Sequence, residues 1–535
     1  MPPQTVLIGL DGATFTILTP LMEQGVMPFL RQFQQQGVRA VVRSVTPPLT
    51  PPAWASVMTG KLPGQHGVFD FFQREGSESH HLRFVTAEDV GTETLWTLAS
   101  RHGRRVVVLN FPLTFPPPPV NGCLVPGGWV PWRQLRLGCY PPGLFDRLRA
   151  LPGFNARELV LDMALEARAL EGCAPEEYLA WIDLHIRREQ RWGEVLQALV
   201  RTEAPDLVAV LFDGLDKIQH LCWRFLDPAL ASTLATPWEQ AVAARCRDYF
   251  RQLDALLATC SALADPAATV FLVSDHGFGP ARTVWYLNAW LEQHGYLAWA
   301  PTADQPITTD PQLGFRAIAR HLSYLDWHRT VAYAPTPTGH GLYLVRRRPD
   351  GGVALTEDEY QRQRQALAAA LRAARHPATG QPLVTAVATR EEVFAGPYQD
   401  RAPDLVLSLA PGTLISILRG PAAVVERAEV VGTHHPEGVF LAAGPGLRAG
   451  VQGPSFSLVD VAPLVLHSLD LPVPEDMAGR VPPGLYRAEF LRHRPVRRGP
   501  ASALRPAPST AGARLFDAEA EATMLARLRA LGYIE

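Results

Sequence analysis

The chain is 535 residues long, with 47 % hydrophobic and 19 % charged residues, a balance that suits a large globular protein and excludes an extended disordered chain. A formal net charge of −2 supplies no basic field for nucleic acid or an anionic membrane, so an anionic substrate needs a local device such as a metal ion or a helix end. Six cysteines without a CxxC pair suit reduced, buried thiols and a cytoplasmic setting, while 49 prolines, many in runs such as 116–119 and 494–508, mark loops.

The opening MPPQTVLIGLDGA has no basic start and only a short apolar run, so 6–10 reads as a buried first strand instead of a signal peptide, with Asp11 at its end. No run of about 18 uninterrupted apolar residues occurs, and no membrane span is expected. An amphipathic stretch follows at 25–36. In TPPLTPPAWASVMTG, Thr50 stands before Pro51 and Pro52 where a helix would begin. It is either a simple N-cap or a hydroxyl aimed at a place that receives phosphate.

A strand is expected at 106–110, then a Pro-, Gly- and Trp-rich insertion at about 112–175 that includes Trp129 and Trp132. A helical stretch at 176–202 leads to a strand at 207–212 that ends in Asp213. In LFDGLDKIQHLCW, Asp216 and His220 lie four apart, on one face of a helix, where both could reach one cation. After a helix at 238–263, a strand at 269–274 runs into Asp275 and His276 of VSDHGFG. A second insertion covers about 284–400 and holds the amphipathic stretch 359–374. A strand at 405–409 precedes GTHHPEG, where His434 and His435 stand just before a strand at 439–443. Residues 486–513 read as a Pro-, Ala- and Arg-rich linker. Residues 514–535 read as a short helix with Leu525, Leu528 and Leu531 on one side.

Strand–helix alternation of this kind predicts an α/β fold, a mostly parallel sheet with helices on both faces, spanning 1–485 with the insertions as caps. Ligands of such sheets gather beyond the carboxyl ends of the strands. Three expected strands end in Asp11, Asp213 and Asp275, which predicts a shared polar rim. Carboxylates with imidazoles suit zinc, and also manganese or iron. Each piece has an ordinary alternative: a capping pair for Asp275 and His276, a surface contact for Asp216 and His220.

The stretches VLIGLDGA, TPPAWASVMTGKLPGQHGVFDF, FDGLDKIQHLCW, VSDHGFG, GTHHPEGVFLAAGPG and LVDVAPLVLHSLDLPVPEDMAGR, in that order from residue 6 to about 480, are specific in combination. With them the chain resembles the alkaline phosphatase superfamily, in its branch of type I phosphodiesterases, nucleotide pyrophosphatases and predicted phosphohydrolases or phosphomutases. The resemblance implies a three-layer α/β/α sandwich. It implies one metal held by Asp216, His220 and His434, and a second held by Asp11, Asp275 and His276 with the Thr50 oxygen. Asp216 is preferred to Asp213 for its spacing to His220, and His434 to His435 for its place after Gly-Thr. Two divalent ions are implied, zinc first and manganese second.

The implied reaction is hydrolysis of a small-molecule phosphate mono- or diester, nucleotide-type or phosphonate substrates included. It would pass through a phosphoenzyme on Thr50 that water then hydrolyses. A phosphomutase would use the same groups and return the phosphoryl group to substrate, and a binding protein on the same fold is the non-catalytic alternative. Sulfatase relatives need a Cys or Ser in a C/S-x-P-x-R pattern, which TPPAW lacks. Nucleotide pyrophosphatase relatives carry an asparagine shortly after their HG motif, and here HGVFDFF puts Phe71 in that place. Asn288 or His340 are candidate substitutes, while His66 reads as shaping a turn.

Overall fold

The computed structural model describes residues 2–74, 82–127, 130–160, 174–301, 322–348, 351–420 and 422–503. Trp129, Cys173 and the helix expected at 514–535 lie outside them. The chain divides into two compact units. The larger comprises the described residues of Met1–Leu62, Thr86–Phe278 and His434–Gly512, and the smaller those of Pro63–Val85 and Gly279–Thr433.

The larger unit is built on one sheet. Its strands are β1 (Thr5–Leu10), β2 (Val38–Arg43), β3 (Val106–Leu109), β4 (Gly122–Val125), β5 (Leu207–Phe212), β6 (Thr269–Val273), β7 (Glu437–Ala443), β8 (Val451–Gln452) and β9 (Phe456–Ser457). They lie in the order β8-β2-β7-β6-β1-β5-β3-β4, with β9 also on β2. β1 pairs in parallel with β5 and β6, placing Leu10 beside Phe212 and Gly9 beside Val273. The ends of the three strands are therefore level, and the residues after them share one rim. Only β7 runs against its neighbours, antiparallel to both β2 and β6. The fold is thus the expected α/β sandwich with a mostly parallel sheet.

The sequence of β1, TVLIGL, is buried along its whole length, as are β5 and β6. A parallel strand covered on both faces reads as a continuous apolar run, and each Val, Leu or Ile so buried contributes about 1.5–3 kcal/mol. The covering helices are α1 (Pro28–Gln36), α2 (Thr50–Thr59), α3 (Leu95–Arg101), α4 (Pro175–Glu203), α5 (Gly214–Leu226), α6 (Pro237–Ala262) and α7 (Val461–Ser468). α4 packs along α6 and both meet α5, while α7 packs with α2 and α3. Thr236 and Glu239 form a capping box that starts α6. No helix among the described residues is long and apolar enough to cross a membrane.

The smaller unit holds an antiparallel four-stranded sheet ordered Ala332–Tyr333, Gly341–Leu344, Leu405–Leu409 and Val384–Thr389. The helix Glu357–Ala373 packs on its Val384–Thr389 edge. The strand expected at 405–409 is therefore real but belongs to this sheet and not to the parallel one. The five described cysteines, Cys123, Cys139, Cys222, Cys246 and Cys260, are free and buried.

Candidate metal centre

All seven residues singled out from the sequence, Asp11, Thr50, Asp216, His220, Asp275, His276 and His434, lie in the larger unit and converge at the rim of β1, β5 and β6. Six of them are buried, and His434 is half-buried with its side chain 6 % exposed. Asp11 follows β1 directly, and its N–H donates to the Phe212 carbonyl at 3.0 Å, locking the strand end in place. Gly12 then turns the chain with φ +67°, a left-handed conformation suited to glycine. Its N–H donates to Asp275 Oδ1 at 3.1 Å.

Thr50 differs from the simple cap considered above. Leu49 is the N-cap, without a side-chain capping bond, and Thr50 is the first helical residue of α2. Its Oγ1, not spent on capping, lies 3.3 Å from His276 Nε2. Pro51 and Pro52 have no N–H, and the Ala53 N–H is bonded to the Leu49 carbonyl at 3.0 Å. The first turn therefore leaves the Thr50 amide as its donor for a ligand.

The other six residues form two sets. In the first, His434 Nε2 is 3.1 Å from both Asp216 Oδ1 and His220 Nε2, and Asp216 Oδ1 is 3.4 Å from His220 Nε2. In the second, His276 Nε2 is 3.2 Å from Asp275 Oδ2 and 3.7 Å from Asp11 Oδ1. The sets touch, because the His276 and His434 rings stack at 3.5 Å, and Asp216, His276 and His434 also gather within ligating reach of one another. His434 is thus a border residue between the two.

The donor chemistry fits divalent cations. His434 Nδ1 faces the Pro48 carbonyl at 2.9 Å and His276 Nδ1 faces the Gly277 carbonyl at 3.1 Å. A proton on each Nδ1 would leave each Nε2 as a lone pair facing carboxylate oxygens, an arrangement suited to a cation between them. Asp11 Oδ1 and Asp275 Oδ2 are buried and accept no hydrogen bond among the described residues. Burial, followed by the charges of Asp275, Asp216 and Asp213, pushes Asp11 well above the usual carboxylate range. Burial does the same to Asp275, and it drives the His276 and His434 imidazoles down. Burial also opposes ionisation of Asp216, but the adjacent His220, with His434, outweighs it and holds that carboxyl low. Packing three carboxylates this closely is costly until positive charge joins them.

The competing residues have other tasks. Asp213 is engaged by the Lys217 ammonium four residues on, a pair buried on both sides. His435 is turned aside, accepting the Glu437 N–H on its Nδ1 at 3.2 Å. In the smaller unit, the Asn288 amide donates to the Ala334 and Ile417 carbonyls and accepts from the Ala334 N–H, so both its ends are engaged. His340 has φ +48° and offers its carbonyl to the Leu407 N–H, as a turn residue does. His66 Nδ1 accepts the Val68 N–H at 3.2 Å.

Several supporting residues carried no signal in the sequence. Trp54 Nε1 donates to Asp11 Oδ2 at 3.3 Å, and Gly9 leaves room for its ring, since a Cβ there would lie 2.6 Å from Trp54. Phe278 packs edge-on against His220 at 4.7 Å and against His434 at 5.2 Å. A Cβ on Gly12 would sit 2.7 Å from the Phe278 ring. Gly12→Ala therefore combines a left-handed backbone penalty of about 1–2 kcal/mol with a displaced Phe278. Chemical denaturation should show a loss of at least that size, and an unchanged midpoint would contradict this account of the turn.

Beside Phe71, Asp70 accepts from the Thr336 and Thr338 hydroxyls at 2.5 Å each and from the Phe71 N–H at 2.6 Å, all within the smaller unit. Burial pushes it up to about 6 despite these donors. Because the folded value lies above the unfolded one, near 4, the protonated group favours the folded state in acid. That contribution disappears as the pH rises through about 6. Relative to Asp70→Asn, the wild-type chain should lose up to about 3 kcal/mol between about pH 4 and 7. Parallel denaturation curves over that window would refute the assignment.

The profile of the family described as "Type I phosphodiesterase / nucleotide pyrophosphatase" matches residues 5–437. Among curated proteins, none matches the chain by sequence. Of solved structures, phosphonoacetate hydrolase from Sinorhizobium meliloti 1021, in complex with phosphonoacetate, superposes with a TM-score of 0.50 at 17 % identity, over 87 % of this chain and 96 % of that one. Inactive murine ectonucleotide pyrophosphatase/phosphodiesterase 5, in complex with AMP, gives 0.49 at 14 % identity over 92 % and 99 %. The profile takes in β1 with Asp11 and extends past His434, and on that match the chain belongs to the type I phosphodiesterase/nucleotide pyrophosphatase family, a family of phosphoester hydrolases.

Proposed function

We propose that this protein hydrolyses small phosphate mono- or diesters, phosphonates included, with Thr50 as the nucleophile and two divalent metal ions bound by the six Asp and His residues. The observation that carries this reading is the Thr50 hydroxyl, released from capping and 3.3 Å from His276 Nε2 at the border of two carboxylate–imidazole sets. Asp216, His220 and His434 would hold one ion, and Asp11, Asp275 and His276 the other, with the Thr50 oxygen alongside. Zinc suits this donor set best, and manganese next. Bound there, the ions supply the Lewis acidity that lowers the hydroxyl pKa and takes up charge on the oxygens of an in-line displacement.

The residues of the chain do the rest. Thr50 Oγ1, its proton given up to solvent, forms a bond to phosphorus as the bond to the leaving oxygen breaks. The leaving oxygen takes a proton from solvent, and water then cleaves the Oγ1–P bond, releasing phosphate, a phosphate monoester or, from a phosphonate ester, the free phosphonate, and restoring the hydroxyl. The Thr50 N–H at the start of α2 is positioned for a non-bridging oxygen, a task that the relatives share with an asparagine where this chain has Phe71. Trp54 steadies Asp11 throughout. The five described thiols, all free and buried, support a reducing, cytoplasmic setting.

A panel of p-nitrophenyl phosphate, bis-p-nitrophenyl phosphate and p-nitrophenyl phenylphosphonate, assayed after loading with zinc or manganese, tests the reading. Metal-dependent release of p-nitrophenol from at least one ester is the expected result, and the preferred ester defines the class. Failure on all three with either metal, at full metal occupancy, would contradict this function.

A further inference from the structure

Besides the stacked imidazoles, a buried glutamine connects the backbone of the two ligand sets. Gln219 lies on α5 between Asp216 and His220, and it is 1 % exposed. Its Nε2 donates to the Gly12 carbonyl at 2.9 Å and to the Leu215 carbonyl of its own helix at 3.2 Å. The N–H of the same Gly12 donates to Asp275 Oδ1 at 3.1 Å, and Asp11 is the residue before it. One glycine thus receives the helix that bears Asp216 and His220 on its carbonyl, and orients Asp275 through its amide.

A buried glutamine can simply satisfy a carbonyl, at a gain of about 0.5–1.5 kcal/mol. What sets Gln219 apart is where both ends of the connection lead. α5 has its own anchors elsewhere: the Gly214 N–H donates to Glu189 at 2.8 Å, and Lys217 pairs with Asp213. Those contacts fix the helix against α4 and β5 without reaching Asp11 or Asp275. The Gln219–Gly12 bond ties α5 directly to the turn after β1.

We propose that Gln219 is a positioning residue that sets the spacing between the two cation sites, so that filling one prepares the other. The inference rests on the two-cation reading above and adds a residue that touches neither cation nor substrate. Without the Gln219 amide, each ligand set keeps all its donor atoms, but the Asp11–Gly12 turn and α5 lose the direct bond between them and keep only their separate ties to the end of β5. Loss of such an outer partner costs about 10–100-fold in affinity, and here the loss should fall on the second ion bound.

The test uses the full-length protein, stripped of metal and titrated with Mn2+, with stepwise affinities measured by calorimetry and the loaded state followed by electron paramagnetic resonance. Wild type should take up two ions and show the spectrum of an exchange-coupled pair. Gln219→Met, matched in length but without a donor, should bind the first ion within about threefold of wild type and the second at least about tenfold more weakly, with the coupled spectrum altered. The kcat should fall with little change in KM. Should Gln219→Met fail to fold, Gln219→Leu carries the test, since it also removes the donor and adds no ionisable group. Equal affinities and an unchanged coupled spectrum in the variants would overturn the inference, as would an equal weakening of both ions. A wild-type protein that never binds a second ion would overturn the two-cation reading and this inference together, an outcome distinct from the other two.

Discussion

Thr50→Ala should retain its full complement of metal and lose its activity. The group removed is one hydroxyl at the first position of α2, and the six carboxylate and imidazole side chains proposed to hold metal are untouched. A nucleophile deleted from an otherwise intact site lowers kcat by about three orders of magnitude or more, because what remains is binding and electrostatics alone. Elemental analysis alongside single-turnover assays separates the two effects. Persistent turnover in a metal-replete variant would remove Thr50 from the role of nucleophile. Activity and metal lost together would make the hydroxyl chiefly a ligand.

His434→Ala should have the second large effect, on metal first and activity second. His434 is the residue where the two sets meet: 3.1 Å from Asp216, 3.1 Å from His220, and stacked on His276 at 3.5 Å. Its removal takes an imidazole from one set and the packing support from an imidazole of the other. Metal content should fall from about two ions to about one per chain. The kcat should drop by more than the roughly 10–100-fold that loss of an outer partner costs. His435→Ala is the internal control, since His435 receives the Glu437 N–H and belongs to neither set of clustered side chains among the described residues. If the two variants behave alike, the choice between the paired histidines is wrong.

Much of this centre was legible because strand ends are simple objects. A short run of Val, Leu and Ile that stops at an aspartate can be recognised locally, and β1, β5 and β6 are such runs. The i,i+4 spacing of Asp216 and His220 needs only a helix, and α5 provides it. The direction of β7 was not legible, because a strand of buried apolar residues reads the same whichever way its neighbours run. β2 escaped notice for another reason: its VRAVVR alternates buried and half-exposed positions and has none of the continuous apolar character of the central strands.

The supports of the site were hidden altogether. Trp54 on Asp11 spans 43 residues and Gln219 on Gly12 spans 207, distances at which no local pattern carries information. The status of Thr50 turned on a single residue of helix register. As an N-cap its oxygen would be spent on backbone, and as the first helical residue it is left facing His276. A sequence with a threonine before two prolines permits both.

The central claim is that two divalent ions occupy the two sets, with Thr50 beside them. Anomalous diffraction from crystals of the zinc-loaded protein, collected at the zinc edge, tests it directly. Two peaks should appear, one bounded by Asp216, His220 and His434 and the other by Asp11, Asp275 and His276, with Thr50 Oγ1 next to the second. A single peak, or none at these residues, would contradict the account.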